Sequence, residues 1–365
     1  MSNTRKDMQV YPSRIGINQR GVALITALLV VSLATIMAVS LMSRQFIDIR
    51  RTGNMMHSDQ AYLDAIAAET FVGQLLASVR RQGQSTFDDL ALFDLALMQL
   101  SGDMSDDSRV VSVQVSYPES RFNVNTLMTD EGKVNPKQEN VYRRLLSAVL
   151  ADLGENTSQV DNLVSSLLDW LDADEEARID GAEDSVYEGK DVPYKAANRM
   201  LTSISELRLV DGYTETLLEG IPANEAENIE AVDGLLAYVD ALPYEYSTIN
   251  VNAVVKRNII TALSAYLEPG MVDDLMEGAP YEKITEFTGH GTLESIKTSD
   301  PSRYQKLTNE IRGYQSNLTV QSNYFLIKSQ VVVGKTAVNL NSLVYVDKNG
   351  ANFNVISRSI GTEGI

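Results

Sequence analysis

The feature that most limits this chain is the run from Val22 to Met42, which carries no charged side chain. About 20 apolar residues wound as a helix cross the hydrocarbon of a bilayer. A secretory signal has a shorter apolar core with a small-residue cleavage site behind it. Here the run has full length, and Arg44, Arg50 and Arg51 follow it. Arg5, Lys6, Arg14 and Arg20 precede it against one acid, Asp7. Basic residues on that short side place the N-terminus in the cytoplasm and the bulk of the chain across the membrane. The arginines after the run oppose this orientation without reversing it.

The rest reads as a globular body. Of 365 residues, 44% are apolar and 22% charged, which is ordinary for a folded protein and wrong for a disordered one. The net charge of -18 argues against a nucleic-acid partner, because phosphate binding needs a basic footprint. There are no cysteines, which removes disulfides, thiolate zinc sites, iron–sulfur clusters and thiol nucleophiles. Two histidines, His57 and His290, are too few for a three-His metal site and leave a Ser–His–Asp mechanism only two bases.

A helical period continues past the apolar run through Met56, Leu63, Ala67, Phe71, Leu75 and Val79. It predicts one long helix from Val22 to about Arg80, with Gly53 as a candidate kink. Val110 to Tyr117 alternates as a half-buried strand. Tyr324 to Val333, Ala337 to Val346 and Phe353 to Arg358 do the same. The short turns Gly334-Lys335 and Lys348-Asn349-Gly350 make them an antiparallel meander. One strand near residue 110 and three beyond 320 share a sheet only around a long insertion. That insertion reads as mainly helical, at Val141–Leu153 and Val160–Leu171, with a capping box at Ser203–Glu206. The fold class is α+β. A phrase is repeated within it: Phe122-Asn123-Val124-Asn125 recurs as Ile249-Asn250-Val251-Asn252. Asn favours turns and helix N-caps, so both read as capped strand-to-helix junctions.

Charge concentrates between Asp169 and Asp191, where ten acids face only Arg178 and Lys190. A solvated acidic loop is the default for such a run. Trp170, Tyr187, Pro193 and Tyr194 lie within or beside it, so parts of it should pack. Asp172, Asp174 and Glu176, then Asp180 and Glu183, fall at intervals like those of an EF-hand. Asp184, Glu188 and Asp191 complete the candidate oxygen donors. Calcium takes six to eight such oxygens, but Ala177 stands where an EF-hand needs glycine, so a calcium loop of another kind is expected. Nothing selects a glycosidase pair among these carboxylates. Val333-Gly334-Lys335-Thr336 ends like a phosphate loop, but Ser329 replaces its required glycine, and a hairpin turn is the better reading. His290 reads as a loop residue and His57 as a surface residue. Asn250-Val251-Asn252-Ala253 and Leu201–Leu207 are similar to the start of helix-hairpin-helix modules; in acidic surroundings they read as protein contacts.

Gln19-Arg20-Gly21 followed at once by Val22 resembles a class III leader, cut after the glycine by a prepilin peptidase so that the apolar helix stays on the mature protein. Arg20-Gly21-Val22-Ala23-Leu24, Arg121–Asn125, Asp169–Asp174, Gly181-Ala182-Glu183-Asp184, Pro193–Asn198, Ser203–Leu209, Asn250–Asn252 and Ser322-Asn323-Tyr324-Phe325 follow one another in an order that resembles the K-type minor pseudopilins of type II secretion systems. The distinctive stretch includes Trp170, Tyr194 and Asn198. Most pilins carry glutamate at the fifth mature position; here that position is Thr26, as in the K-type family.

The resemblance implies a pseudopilin fold with a large inserted α-helical domain, and calcium bound by the insert. It implies 1–21 as leader, 22–42 as the transmembrane part of the helix, 43–125 with 316–365 as the periplasmic α/β domain, and 126–315 as the insert. It implies a complex with I-type and J-type minor pseudopilins at the tip of a fibre of major pseudopilin, anchored in the inner membrane, without catalysis. The competing readings are a type IV pilus minor pilin, a membrane-anchored periplasmic enzyme acting on polysaccharide, and a tethered DNA-binding protein, which the charge disfavours.

Overall fold

The computed structural model describes residues 20–81, 109–224, 230–243 and 248–361. The expected leader up to residue 19, and residues 82–108 of the expected α/β domain, lie outside these. The chain divides into two units, residues 1–59 and 60–365. Helix α1 (Arg20–Arg81) starts in the first and runs unbroken through Gly53. From Val22 to Asp59 nearly every residue is exposed, His57 included. Among the described residues, α1 is the one helix long and apolar enough to cross a membrane.

In the second unit, β1 (Arg109–Ser116) leads into β2 (Phe122–Asn123), α2 (Pro136–Asp152), α3 (Val160–Leu171), the short α4 (Asp184–Tyr187) and α5 (Glu215–Glu219). Then come β3 (Gly220–Ile221), β4 (Val232–Asp233), β5 (Val239–Asp240) and β6 (Ile249–Asn250). The helices α6 (Arg257–Ala262), α7 (Pro269–Glu277), α8 (Ile284–Thr288), α9 (Gly291–Glu294) and α10 (Pro301–Tyr314) lead to β7 (Leu318–Thr319), β8 (Tyr324–Val333), β9 (Thr336–Val346) and β10 (Phe353–Ile360). Strands β1, β8, β9 and β10, in that order, form one antiparallel sheet. The described residues between β1 and β8 form an insertion with its own core, centred on Phe122, Tyr142, Leu146, Val164 and Leu207.

The last turns of α1 lie on the sheet. Ala61, Ala65 and Ala68 pack on Val111, Val331 and Leu340, and Val72 and Leu76 on Phe325, Ile327 and Val344. This corrects the stripe read from the sequence: Leu63 and Phe71 face outward. Alanines let the helix approach closely, and the buried face also includes a charge that breaks the apolar pattern. Glu69 accepts from Arg358 Nε and Nη2, both at 2.8 Å, and from the Ser342 hydroxyl. At the β9–β10 turn Gly350 has φ +64°, and a Cβ there would lie 2.3 Å from the Ala77 carbonyl oxygen.

The two Asn phrases do more than cap locally. In each, the first Asn side chain accepts from the second Asn backbone N–H, at 3.1 Å (Asn123, Asn125) and 3.0 Å (Asn250, Asn252). The second Asn clasps a distant residue through both its backbone groups. Asn125 accepts from Leu201 N at 2.8 Å and donates to Leu201 O at 3.0 Å. Asn252 accepts from Tyr281 N at 2.8 Å and donates to Tyr281 O at 2.9 Å. Each phrase opens on a two-residue parallel pair, β2 with β5 and β6 with β7. The α-helices that follow start later, α2 at Pro136 behind an Asn135 cap and α6 at Arg257.

One buried carboxylate joins the starts of both phrases to the sheet. Glu119 accepts from Tyr324 N at 3.1 Å, from Asn323 N, and from the Thr248 hydroxyl at 2.9 Å. Burial pushes its pKa up to about 7, against those hydrogen bonds and the nearby Arg80 charge. Arg80 itself donates to Ser322 O and to Asn323 Oδ1.

Candidate functional site

The acidic segment begins inside the insert's core. Leu163, Val164, Leu167, Leu168, Trp170 and Leu171 bury α3, and Asp169 in its last turn goes in with them, 0% exposed. A buried carboxylate is costly unless paired, and Arg178 pairs it: Arg178 N donates to Asp169 Oδ2 at 3.1 Å and Nη1 to Oδ1 at 2.5 Å. The same Nη1 also donates to Asp172 Oδ2. The chain turns back at once. Gly181 N donates to Arg178 O at 3.0 Å, and Asp180 takes φ +61°. A Cβ on Gly181 would lie 2.0 Å from Asp169 Oδ2, so only glycine fits this approach.

Around this turn three carboxylates converge. Asp172, Asp174 and Glu183 each offer an oxygen within 4.8 Å of the others. Asp172 and Glu183 are each 4% exposed, and Asp174 is exposed. Asp172 Oδ1 and both Glu183 carboxylate oxygens are buried without a hydrogen-bond partner. Burial first, then the charges of Asp169, Asp172, Asp174 and Asp184, push the Glu183 pKa up to about 7. Burial also raises Asp172, against the Arg178 guanidinium. Asn198, at φ +46°, donates from Nδ2 to Asp174 O at 3.1 Å, while its Oδ1 is buried and unpartnered.

The other expected donors lie elsewhere. Asp184 accepts from Lys195 Nζ at 2.5 Å and from Ala196 N at 2.9 Å. Glu188 is 3.7 Å from the same Lys195 Nζ. Glu176, Asp180 and Asp191 are exposed, and Glu176 N donates to Asp174 Oδ1 at 2.9 Å. The segment is fastened by aromatic rings. Trp170 meets Tyr187 edge-on at 5.2 Å, and Tyr187 stacks on Tyr194 at 5.3 Å. The Tyr194 hydroxyl donates to Leu209 O at 2.7 Å. Of the two histidines, His290 caps α9, its Nδ1 accepting from Thr292 N at 3.3 Å.

The converging donors are all hard oxygens. They suit a calcium-like cation and not a soft metal, and the unpartnered buried oxygens of Asp172 and Glu183 fit the same kind of occupant. Such a cation would be held by Asp172, Asp174 and Glu183 and would neutralise carboxylates that otherwise repel one another. Sequence reading passed over Asp169 and Arg178 as site residues. The available signal was the position of Asp169 within the apolar run Leu167-Leu168-Asp169-Trp170-Leu171, which carries its charge into the core.

Comparison with known proteins places the chain. Residues 120–222 match the family model described as Type II secretion system (T2SS), protein K. The type II secretion system protein K of Pseudomonas aeruginosa is 31% identical over 95% of this chain and 94% of its own length. That of Pectobacterium carotovorum is 28% identical over 94% and 97%. Among solved structures, the crystal structure of the GspK-GspI-GspJ complex from the enterotoxigenic Escherichia coli type 2 secretion system contains a similar chain. It has a TM-score of 0.56 at 22% identity, covering 84% of this chain and 99% of that one. The chain belongs to the type II secretion system protein K family and is a minor pseudopilin of that system.

Proposed function

We propose that this minor pseudopilin caps the periplasmic pseudopilus, joined to I-type and J-type minor pseudopilins above the major pseudopilin, and that its role in export is structural and not catalytic. The observation that carries the cap is Thr26. Its hydroxyl donates to carbonyl oxygens of its own helix, Val22 O at 3.1 Å and Ala23 O at 3.0 Å. It is satisfied without a neighbour. A carboxylate at that depth needs a cationic partner, which in a fibre is the N-terminal ammonium of the next subunit. A subunit with nothing above it has no such ammonium to neutralise. The insert between β1 and β8 supports the same reading, because a head widened by it leaves little room for a further subunit.

In this reading a prepilin peptidase cuts between Gly21 and Val22, and the new N-terminus is methylated. Residues 22–42 anchor the chain once in the inner membrane, with the leader side cytoplasmic and the bulk periplasmic. Calcium is held by Asp172, Asp174 and Glu183 with backbone carbonyls. The reading is tested by intact mass after co-expression with a prepilin peptidase, which should show loss of Met1 to Gly21. An uncut chain, beside a control substrate that is cut, contradicts it. Labelled pseudopili should carry the protein at one end only; labelling along the fibre contradicts the cap.

A further inference from the structure

We propose that Asp169 and Arg178 form a positioning pair that fixes Asp172 for the cation, neither residue binding the cation itself. The proposal rests on reading Asp172, Asp174 and Glu183 as a divalent-cation site. The hydrogen bonds separate the acids into two kinds. Both Asp169 oxygens are taken up by Arg178, Oδ1 by Nη1 and Oδ2 by the backbone N–H. In Asp172 only Oδ2 is taken, by the same Nη1, and Oδ1 is buried with no hydrogen-bond partner. One guanidinium nitrogen therefore bridges a fully buried anchor and a ligand, and leaves the ligand's other oxygen for the cation. Partners behind the ligands of a metal orient them in this way. The anchor also fixes the course of the chain, because Arg178 N is held on Asp169 and Gly181 passes against Asp169 Oδ2.

Charge and position make opposite predictions for Arg178. A guanidinium beside a dication repels it, so if charge decides, its removal tightens binding. If position decides, its removal weakens binding.

The test uses the full chain in detergent with Tb³⁺ as the probe. Titration gives the affinity, and luminescence lifetimes in H₂O and D₂O count the coordinated waters. R178Q is expected to weaken binding roughly tenfold to a hundredfold, the usual effect of removing such a partner. It should also admit about one further water as Asp172 swings away, since an oxygen-loving cation refills a lost ligand position with water. R178K should restore binding in part, because the bridge is made by one nitrogen and a lysine ammonium carries three donors, on a stem of different reach. The double variant D169N/R178Q should be no worse than R178Q alone, as expected of two residues acting as one unit. If R178Q does not fold, D169N alone carries the same test, since Asn keeps the size and one acceptor.

Unchanged or tighter binding with the same water count overturns the proposal. Absence of saturable Tb³⁺ binding in the unaltered protein overturns the cation reading instead, and the proposal with it.

Discussion

The two halves of the insert share one construction and differ in what it encloses. In the first, Asn125 clasps Leu201; two residues on, Ser203 opens a helical turn whose Glu206 accepts from Thr202 N at 2.7 Å and Ser203 N at 3.1 Å. In the second, Asn252 clasps Tyr281; two residues on, Lys283 opens a turn whose Glu286 accepts from Glu282 N at 3.0 Å and Lys283 N at 3.3 Å. One difference is what lies between the second helix of each half, α3 or α7, and the clasped residue; in the first half this stretch includes the short α4. In the second half residues 278–280 suffice, between the end of α7 and Tyr281. In the first, residues 172–200 intervene after α3. The acidic segment is therefore not needed to close this construction. Extra loop length costs little, but buried, unpaired carboxylate oxygens cost a good deal. Among the described residues the first half carries that cost and the second does not, which is the physical reason to place a function there.

The largest expected effects fall on the clasps. N125A leaves Leu201 N and Leu201 O without their partner in a site only 2% exposed, while Leu242 O keeps its bond from Asn123 Nδ2; at 1–3 kcal/mol for each orphaned group, it should cost roughly 2–6 kcal/mol. Asn252 is only partly buried, so water can take over some of its bonds, and N252A should cost less. Chemical denaturation of both variants checks the order; a costlier N252A would break the parallel between the halves.

Next comes Glu119, which ties both halves to the sheet. Its folded pKa of about 7 exceeds the ordinary value, so between about pH 4.5 and 7 the folded form holds more protons than the unfolded form. Stability should therefore fall as pH rises through that window, by at most about 3 kcal/mol. E119Q should flatten that part of the pH–stability curve. An unchanged slope would mean that other groups carry it.

Much of this architecture could be read in the sequence and some could not. Strands of eight residues or more leave a run in the sequence, alternating in β1 and largely continuous in β8, which begins and ends where its run does. α3 likewise matches its apolar period. The two-residue pairs β2–β5 and β6–β7 are too short to leave a period, so the Asn phrases read only as local caps. The α1 stripe was misread because Ala61, Ala65 and Ala68 are small and Glu69 is charged, whereas Leu63 and Phe71 are large and apolar. At the site, composition located the acidic segment but not which acids meet, because the turn at Asp180 and Gly181 folds Glu183 back onto Asp172. Glu119 carried no signal at all, since its donors come from residues 248, 323 and 324.

Smaller effects sharpen the contrast within the acidic segment. G181A forces a methyl group against Asp169 and should lower stability by about 1–3 kcal/mol, read as a lower midpoint of thermal unfolding. No change would mean that the turn at residues 178–181 yields easily. E176Q and D191N, at exposed positions, should each move stability by less than about 0.5 kcal/mol and leave cation affinity unchanged. A marked loss of affinity in either would enlarge the donor set beyond the three carboxylates.

The most direct test of the segment's purpose is thermal unfolding of the full chain with calcium and with chelator, alongside D172N/E183Q. The unaltered protein should gain about 2.7 kcal/mol when calcium exceeds its dissociation constant a hundredfold, and the double variant should not respond. Coincident curves for the unaltered protein, or an equal response in the variant, would contradict a cation site at Asp172, Asp174 and Glu183.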